Sequence, residues 1–174
     1  MLIIFTGNGK GKTTAALGQA LRSVGNGKRV LMVQFIKGPW KSGEDVSFQK
    51  LEPNFKIEKM GKGFVGIGGD LVPFHEHKKA ARNALLYVRR EIQTGRWDIV
   101  ILDEVNVAVK LRLVSQEEVA EFIDYSKKQK IEDIIFTGRD APQEFIEQAD
   151  LVTEMREVKH PFRAGIKGRK GLEY

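Results

Sequence analysis

Gly7 to Thr14 reads GNGKGKTT, and it stands between an apolar run of strand length, Met1 to Thr6 (MLIIFT), and a stretch with helical spacing. Gly7, Gly9 and Gly11 supply three glycines within five residues. Such glycines let backbone N–H groups turn inward around an anion, in conformations that side chains obstruct, while the following helix adds the positive end of its dipole. Lys12 then offers a mobile ammonium to the outer phosphates, and the Thr13 hydroxyl suits Mg2+. Asn8 and Thr14 complete the loop. Lys10 is a second ammonium within it, placed either on a phosphate or in solvent. Strict spacing for this motif asks for glycine at position 6, where the chain has Thr6; counted from Gly7, the loop is one residue short. Strand, loop, Gly-Lys-Thr and helix in that order predict a bound triphosphate, ATP, with magnesium.

Outward from the loop, TTAALGQALRSVG places Ala16, Leu17, Ala20, Leu21 and Val24 on one helical face, and Gly25-Asn26-Gly27 ends the helix. Arg29 to Ile36 (RVLMVQFI) is nearly continuous in apolar residues, as strands covered on both faces are, which predicts a parallel sheet. Phe55 to Met60 is a weaker strand candidate, followed by a loop from Gly61 to Asp70 (GKGFVGIGGD) with five glycines. Pro73 opens a long amphipathic helix with Ala81, Leu85, Val88 and Ile92 on its apolar face, closed by Gly95. Asp98 to Leu102 (DIVIL) is a strand. Ser115 and Glu118 form a capping box ahead of a helix carrying Val119, Phe122 and Ile123. Asp133 to Thr137 is a strand, Pro142 to Ala149 a short helix, and Leu151 to Met155 a last strand. This alternation predicts a doubly wound α/β domain, mostly parallel, with helices on both faces and ligands gathered at the carboxyl ends of the strands.

At 174 residues the chain has room for one substantial core, and a single nucleotide-binding domain over residues 1–174 is expected. The absence of cysteine removes disulfides, thiolate zinc and any cysteine nucleophile. No run of eighteen uncharged apolar residues occurs, and Met1 to Thr6 lacks the charged leader of a secretory signal, so a soluble, cytoplasmic protein with no membrane partner is expected. A net charge of +6 and a pI near 9.5 fit polyanion binding but do not distinguish nucleotide from nucleic acid or a solvated surface.

Asp103 and Glu104 follow five residues of strand at its carboxyl end. There a carboxylate helps hold magnesium in hydrolysing nucleotide enzymes; the alternative is an ordinary helix cap. His75 and His77, beside Lys78 and Lys79 at a helix start, read as a solvated face.

Taken together, several segments give the chain a more specific likeness. These are TGNGKGKTTAA (6–16), VQFIKG (33–38) with Trp40 and Gly43-Glu44, VILDE (100–104), FTGR (136–139), Ala149-Asp150, and VKHPFRAGIKGRKGLEY (158–174). In their order they resemble the RecA-like P-loop ATP:corrinoid adenosyltransferases nearly end to end. The resemblance implies a RecA-like fold and transfer of the 5′-deoxyadenosyl group of ATP to the Co(I) centre of a corrinoid such as cobalamin or cobinamide, with the triphosphate leaving whole. It associates the shortened loop with a reversed ATP, whose γ-phosphate lies where other P-loop proteins hold the α-phosphate.

By the same resemblance Thr13 and Glu104 are metal ligands, Lys12 holds the leaving group, and Arg22 and Arg139 hold the nucleotide. For either arginine a surface ion pair is the alternative. Residues 61–70 would be a corrinoid-binding loop with Phe64 against the ring, or else Phe64 anchors the loop to the core. The aromatic that the family carries two residues later is Gly66 here, and the chain begins at the first strand, without the amino-terminal helix of longer members. His160 lies in the shared tail, 158–174, in contact with the corrinoid or supporting the fold. The resemblance further implies a homodimer, a reductase or flavoprotein as electron donor and no nucleic-acid partner. Two other readings of the same loop are a RecA-like ATPase stimulated by nucleic acid and a nucleoside kinase.

Overall fold

Strand side chains alternate between two apolar clusters, and this alternation sets the layers. The computed structural model describes residues 1–67 and 69–172, so Gly68 in the glycine loop and Glu173 and Tyr174 in the tail lie outside the described residues. Among the described residues six strands form one sheet: β1 (Leu2–Thr6), β2 (Val30–Gln34), β3 (Phe55–Lys59), β4 (Ile99–Asp103), β5 (Asp133–Thr137) and β6 (Leu151–Glu154). Every pairing is parallel and the order is β3-β2-β4-β5-β1-β6. Between them lie α1 (Lys12–Gly25), α2 (Gly43–Gln49), α3 (Phe74–Gln93), α4 (Val105–Lys110), α5 (Gln116–Lys127) and α6 (Gln143–Gln148), and the tail carries a 3-10 turn, Pro161–Ala164.

Successive strand residues point to opposite faces. Leu31, Val33, Val100, Leu102, Ile134 and Phe136 therefore pack toward α3, α5 and α6, against Ala84, Val88, Phe122 and Phe145. Their neighbours Val30, Met32, Ile99, Ile101 and Ile135 pack on the other face, against Ala16 and Ala20 of α1 and Phe48 of α2. Helices thus cover both faces, which is why β2 and β4 are buried at all five positions. At the two edges the pattern relaxes: β3 is mostly half-buried, and β6 is exposed at all four positions. The doubly wound parallel sheet expected from the sequence is what forms.

Two short helices had no counterpart in the sequence reading. α2 is seven residues long and starts at a capping box in which Ser42 and Asp45 satisfy each other's backbone N–H groups. α4 has six residues and is entered through Glu104 in the left-handed region, φ 61. Neither is long enough to display an apolar period.

Phe136 on β5 sits fully buried between two aromatic rings, 6.4 Å from Phe122 and 6.0 Å from Phe145 in an edge-on contact. Phe136→Ala leaves a cavity at this junction of sheet, α5 and α6. It is expected to cost about 3–5 kcal/mol in denaturant unfolding.

Candidate active site

The carboxyl ends of β1, β5 and β4 are adjacent, and each contributes one segment to a common cluster: the glycine loop, Thr137 to Arg139, and Asp103-Glu104. In the loop, Gly7 and Gly11 hold positive φ angles of 92° and 114° that L side chains rarely adopt. Gly9 is needed for a different reason. Its N–H donates to the Met155 carbonyl at 2.6 Å, and a Cβ there would stand 2.7 Å from that oxygen. Chain leaving β6 is therefore packed against the loop backbone, and a glycine that looks like anion-binding machinery also permits a close strand-to-loop contact.

α1 begins at Gly11 with no side chain capping its N-terminus and no acidic residue in its first turn, unlike α5, where Ser115 and Glu118 form the expected capping box. Its first N–H groups are thus left facing the loop, the arrangement that suits an anion. Lys12 is buried, and its ammonium donates to the carbonyls of Gly7 at 2.8 Å and Gly9 at 2.7 Å. Burial lowers its pKa, with Arg139 adding to the effect and Glu104 and Asp103 opposing it. Asn8, Lys10 and Thr14 are exposed on the loop, and Lys10 donates to the Leu172 carbonyl of the tail at 2.6 Å.

Asp103 is fully buried and accepts from three elements at once. Its Oδ1 takes the Thr13 hydroxyl at 2.8 Å and the Thr137 hydroxyl at 2.6 Å, and its Oδ2 takes the Gln34 amide at 2.9 Å. With its proton committed to Asp103, Thr13 Oγ1 keeps its lone pairs for a cation. Thr137 in turn accepts from the Glu104 N–H at 2.9 Å, which ties the two carboxylate positions together. Gln34 and Thr137 were not singled out from the sequence. Their signals were membership of the segments VQFIKG and FTGR and position, each being a polar side chain in the last place of its strand.

Glu104 lies mostly buried over the bare backbone of Gly138, where an added Cβ would be 3.3 Å from Glu104 Oε2. Burial first and the Asp103 charge second raise its pKa, against the opposing pull of Lys12, Arg139 and Lys37, to about 7. Arg139, exposed after β5, thus lies within electrostatic reach of both Lys12 and Glu104. The hydroxyl of Thr13 and the Glu104 carboxylate are hard oxygen donors of the type magnesium takes. Among the described residues, no group of three or more His, Cys, Asp or Glu side chains is positioned to hold a metal by itself. The donor set therefore fits a magnesium ion completed by phosphate oxygens and water.

Other residues named from the sequence lie elsewhere. Arg22 is in the last turn of α1, exposed, nine positions from Thr13 and hence about 13 Å along the helix from the loop. The structure does not bring it to the cluster. Phe64 is 61% exposed, so it does not anchor its loop to the core; Met60 and Val65 pack on the core instead. His77 corrects the expectation of a solvated histidine pair. His75 is exposed, but His77 is buried and its Nε2 lies 3.1 Å from Asp70 Oδ2. Asp70 also accepts the N–H groups of Gly66 and Val72, and these bonds lower its pKa, so a charged carboxylate closes the base of the glycine loop onto α3. His160 Nδ1 accepts from the Phe162 N–H at 3.2 Å and caps the 3-10 turn, which gives it a part in the local fold.

A glycine loop running into an uncapped helix, facing a strand-end carboxylate pair across one intervening parallel strand, defines a P-loop nucleotide-binding protein of the RecA-like class. In fold the chain is similar to the flagellar accessory protein FlaH from Methanocaldococcus jannaschii, with a TM-score of 0.58 at 14% identity over 88% of this chain and 70% of that one. The family profile described as ATP:corrinoid adenosyltransferase BtuR/CobO/CobP matches residues 1–174, and the chain belongs to that family. It is 39% identical to the corrinoid adenosyltransferase of Escherichia coli (strain K12) over 100% of this chain and 85% of that protein. It is 37% identical to the corrinoid adenosyltransferase CobA of Salmonella typhimurium, again over 100% of this chain and 85% of that protein.

The Glu104 shift makes a prediction about stability in the nucleotide-free protein. Its folded pKa, about 7, lies above the ordinary value of 4.5, so ionising it opposes folding progressively between those pH values and fully above pH 7. Glu104→Gln is expected to be the more stable protein at pH 8, by on the order of 2–3 kcal/mol, with the gap shrinking toward pH 5. Denaturant titrations at both pH values check the sign; a gap that widens on acidification contradicts it.

Proposed function

We propose that this chain transfers the 5′-deoxyadenosyl group of ATP to the Co(I) centre of a corrinoid and releases triphosphate. The observation that carries the reading is the family match across residues 1–174, built around a glycine loop with Lys12, Thr13 and Glu104 in place. It favours adenosyl transfer over both the nucleic-acid-stimulated ATPase and the nucleoside kinase.

The chemistry asks for stabilisation of a leaving group. Co(I) supplies an electron pair to the ribose C5′, a cobalt–carbon bond forms, and the C5′–O bond breaks with its electrons passing to the triphosphate. Negative charge grows on that triphosphate, so the donors that matter are the loop amides, the Lys12 ammonium and Arg139. No water has to be activated. In this reading Thr13 and Glu104 hold magnesium, which when bound neutralises phosphate charge, and Asp103 aligns the Thr13 hydroxyl. Glu104, Lys12 and Arg139 gather at the sheet edge as such a leaving-group site requires, and the shortened loop suits an ATP lying reversed.

The proposal includes a homodimer, a cytoplasmic location, an external reductase or flavoprotein that supplies Co(I), and no role for nucleic acid. Among the described residues no helix is long and apolar enough to cross a membrane. Residues 1–174 act as one domain, with the corrinoid taken by the loop at residues 61–70, and the tail meets the glycine loop where the Leu172 carbonyl accepts from Lys10.

Incubation with Mg-ATP and chemically reduced cobalamin is expected to yield a light-sensitive alkyl-cobalt product and triphosphate in equal amounts; ADP as the sole nucleotide product overturns the reading. Lys12→Ala removes a leaving-group contact and is expected to lower turnover by roughly 10²–10³-fold. It also strips a donor from the Gly7 and Gly9 carbonyls, a loss of about 1 kcal/mol that shifts the melting midpoint by about 2–4 °C.

A further inference from the structure

Trp40 and Phe64 form an exposed aromatic pair that the nucleotide site does not use. Their ring centroids are 6.2 Å apart with planes inclined by 26°, and each residue is 61% exposed. Single exposed apolar residues need no explanation, but this pair is built. A Cβ at Gly38 would stand 2.9 Å from the indole, and one at Gly63, φ +111, would stand 2.6 Å from it. The ring lies on bare backbone from two different loops, and both positions forgo a side chain to admit it. The Lys59 ammonium fixes the Trp40 carbonyl at 2.8 Å.

The pair is also fastened to the active-site edge of the sheet. Met60 and Gly61 donate to the Gln34 carbonyl at the end of β2, Gly63 donates to the Ile36 carbonyl, and a Cβ on Gly61 would collide with Ile36 at 2.3 Å. Phe35, just beyond β2, donates to the Asp103 carbonyl at 3.0 Å. Lys37, three residues before Trp40, acts electrostatically on Glu104. β2 lies three strand spacings from β1, roughly 15 Å, a span suited to a nucleotide extending from the glycine loop toward a macrocycle resting on the pair. Behind Phe64 the loop has Gly66, at φ 69 with open space where a side chain would be, so this loop offers only one aromatic ring.

We propose that Trp40 is a corrinoid-binding residue, supplying next to Phe64 the aromatic surface that Gly66 does not provide. This rests on the adenosyl-transfer reading above. A broad, flat, largely apolar macrocycle gains from resting against preformed aromatic faces, because the protein gives up little freedom on binding. The arrangement gives Trp40 contact with the corrinoid and none with ATP.

Steady-state assays with cobalamin held as Co(I) by excess chemical reductant separate the possibilities. Trp40→Ala is expected to raise the KM for cobalamin by on the order of tenfold, leaving the KM for ATP and the melting midpoint unchanged, and Trp40→Phe is expected to restore most of the loss. Ultrafiltration of cob(II)alamin with the protein and Mg-ATP should show the same ranking without turnover. An active wild type whose Trp40→Ala variant keeps its cobalamin KM, or loses ATP and cobalamin affinity equally, overturns the role of Trp40 alone. A wild type that forms no alkyl-cobalt product overturns the functional reading and this one with it.

Discussion

The Asp103 carboxylate is the constraint from which the rest of the site follows. A fully buried carboxylate is costly unless its oxygens are satisfied, and here the donors come from the end of β2, the end of β5 and the start of α1. Those partners are 69, 34 and 90 residues away in sequence. Meeting the needs of one side chain therefore fixes the helix behind the glycine loop against the middle of the sheet. It also commits the Thr13 proton, so the geometry at Thr13 exists before any ligand arrives, which is what pre-organisation means in a site that must stabilise developing charge.

Glu104 is the counterpart, a carboxylate placed next door without such satisfaction. Its backbone takes the left-handed conformation at the entry to α4, and its N–H is tied to Thr137. Conformations of that kind persist where the surroundings over-determine them, and here they turn the side chain over Gly138 toward Lys12 and Arg139. The pair thus divides the work. Asp103 spends its oxygens on structure, and Glu104, tied down through its backbone N–H, carries a carboxylate whose ionisation is an energetic cost to the nucleotide-free fold.

Much of this was legible in the sequence because it is local or periodic. β5 has the bounds read from DIIFT, and the four apolar residues Ile99 to Leu102 before Asp103 read as a strand because they are buried on both faces. Lys12, Thr13 and the carboxylates fall together because strand, loop and helix order alone puts them at one sheet edge. What was not legible depends on partners distant in sequence. His77 reads as solvated beside Lys78 and Lys79, and only the return of Asp70 over the start of α3 buries it. Arg22 is tied to the nucleotide only by the resemblance, and nine residues of helix separate it from Thr13 at the loop. Gln34 and Thr137 look like ordinary polar ends of strands until Asp103 claims them.

The glycines show most clearly why a motif underdetermines its function. Gly7 and Gly11 are required by φ, Gly9 and Gly61 by the close approach of another backbone, and Gly38 and Gly63 by an indole ring. Read as letters, all six mark flexible loops. Read in the fold, four of them admit neighbours at a distance no side chain would allow, two around the exposed ring of Trp40. A loop rich in glycine is commonly taken as mobile, but between Gly61 and Asp70 the backbone is bonded to β2 at one end and to Asp70 at the other. The physical consequence is a surface whose apolar rings face solvent while the backbone beneath them is hydrogen-bonded to the end of β2, and that combination favours binding a large rigid partner over a small one.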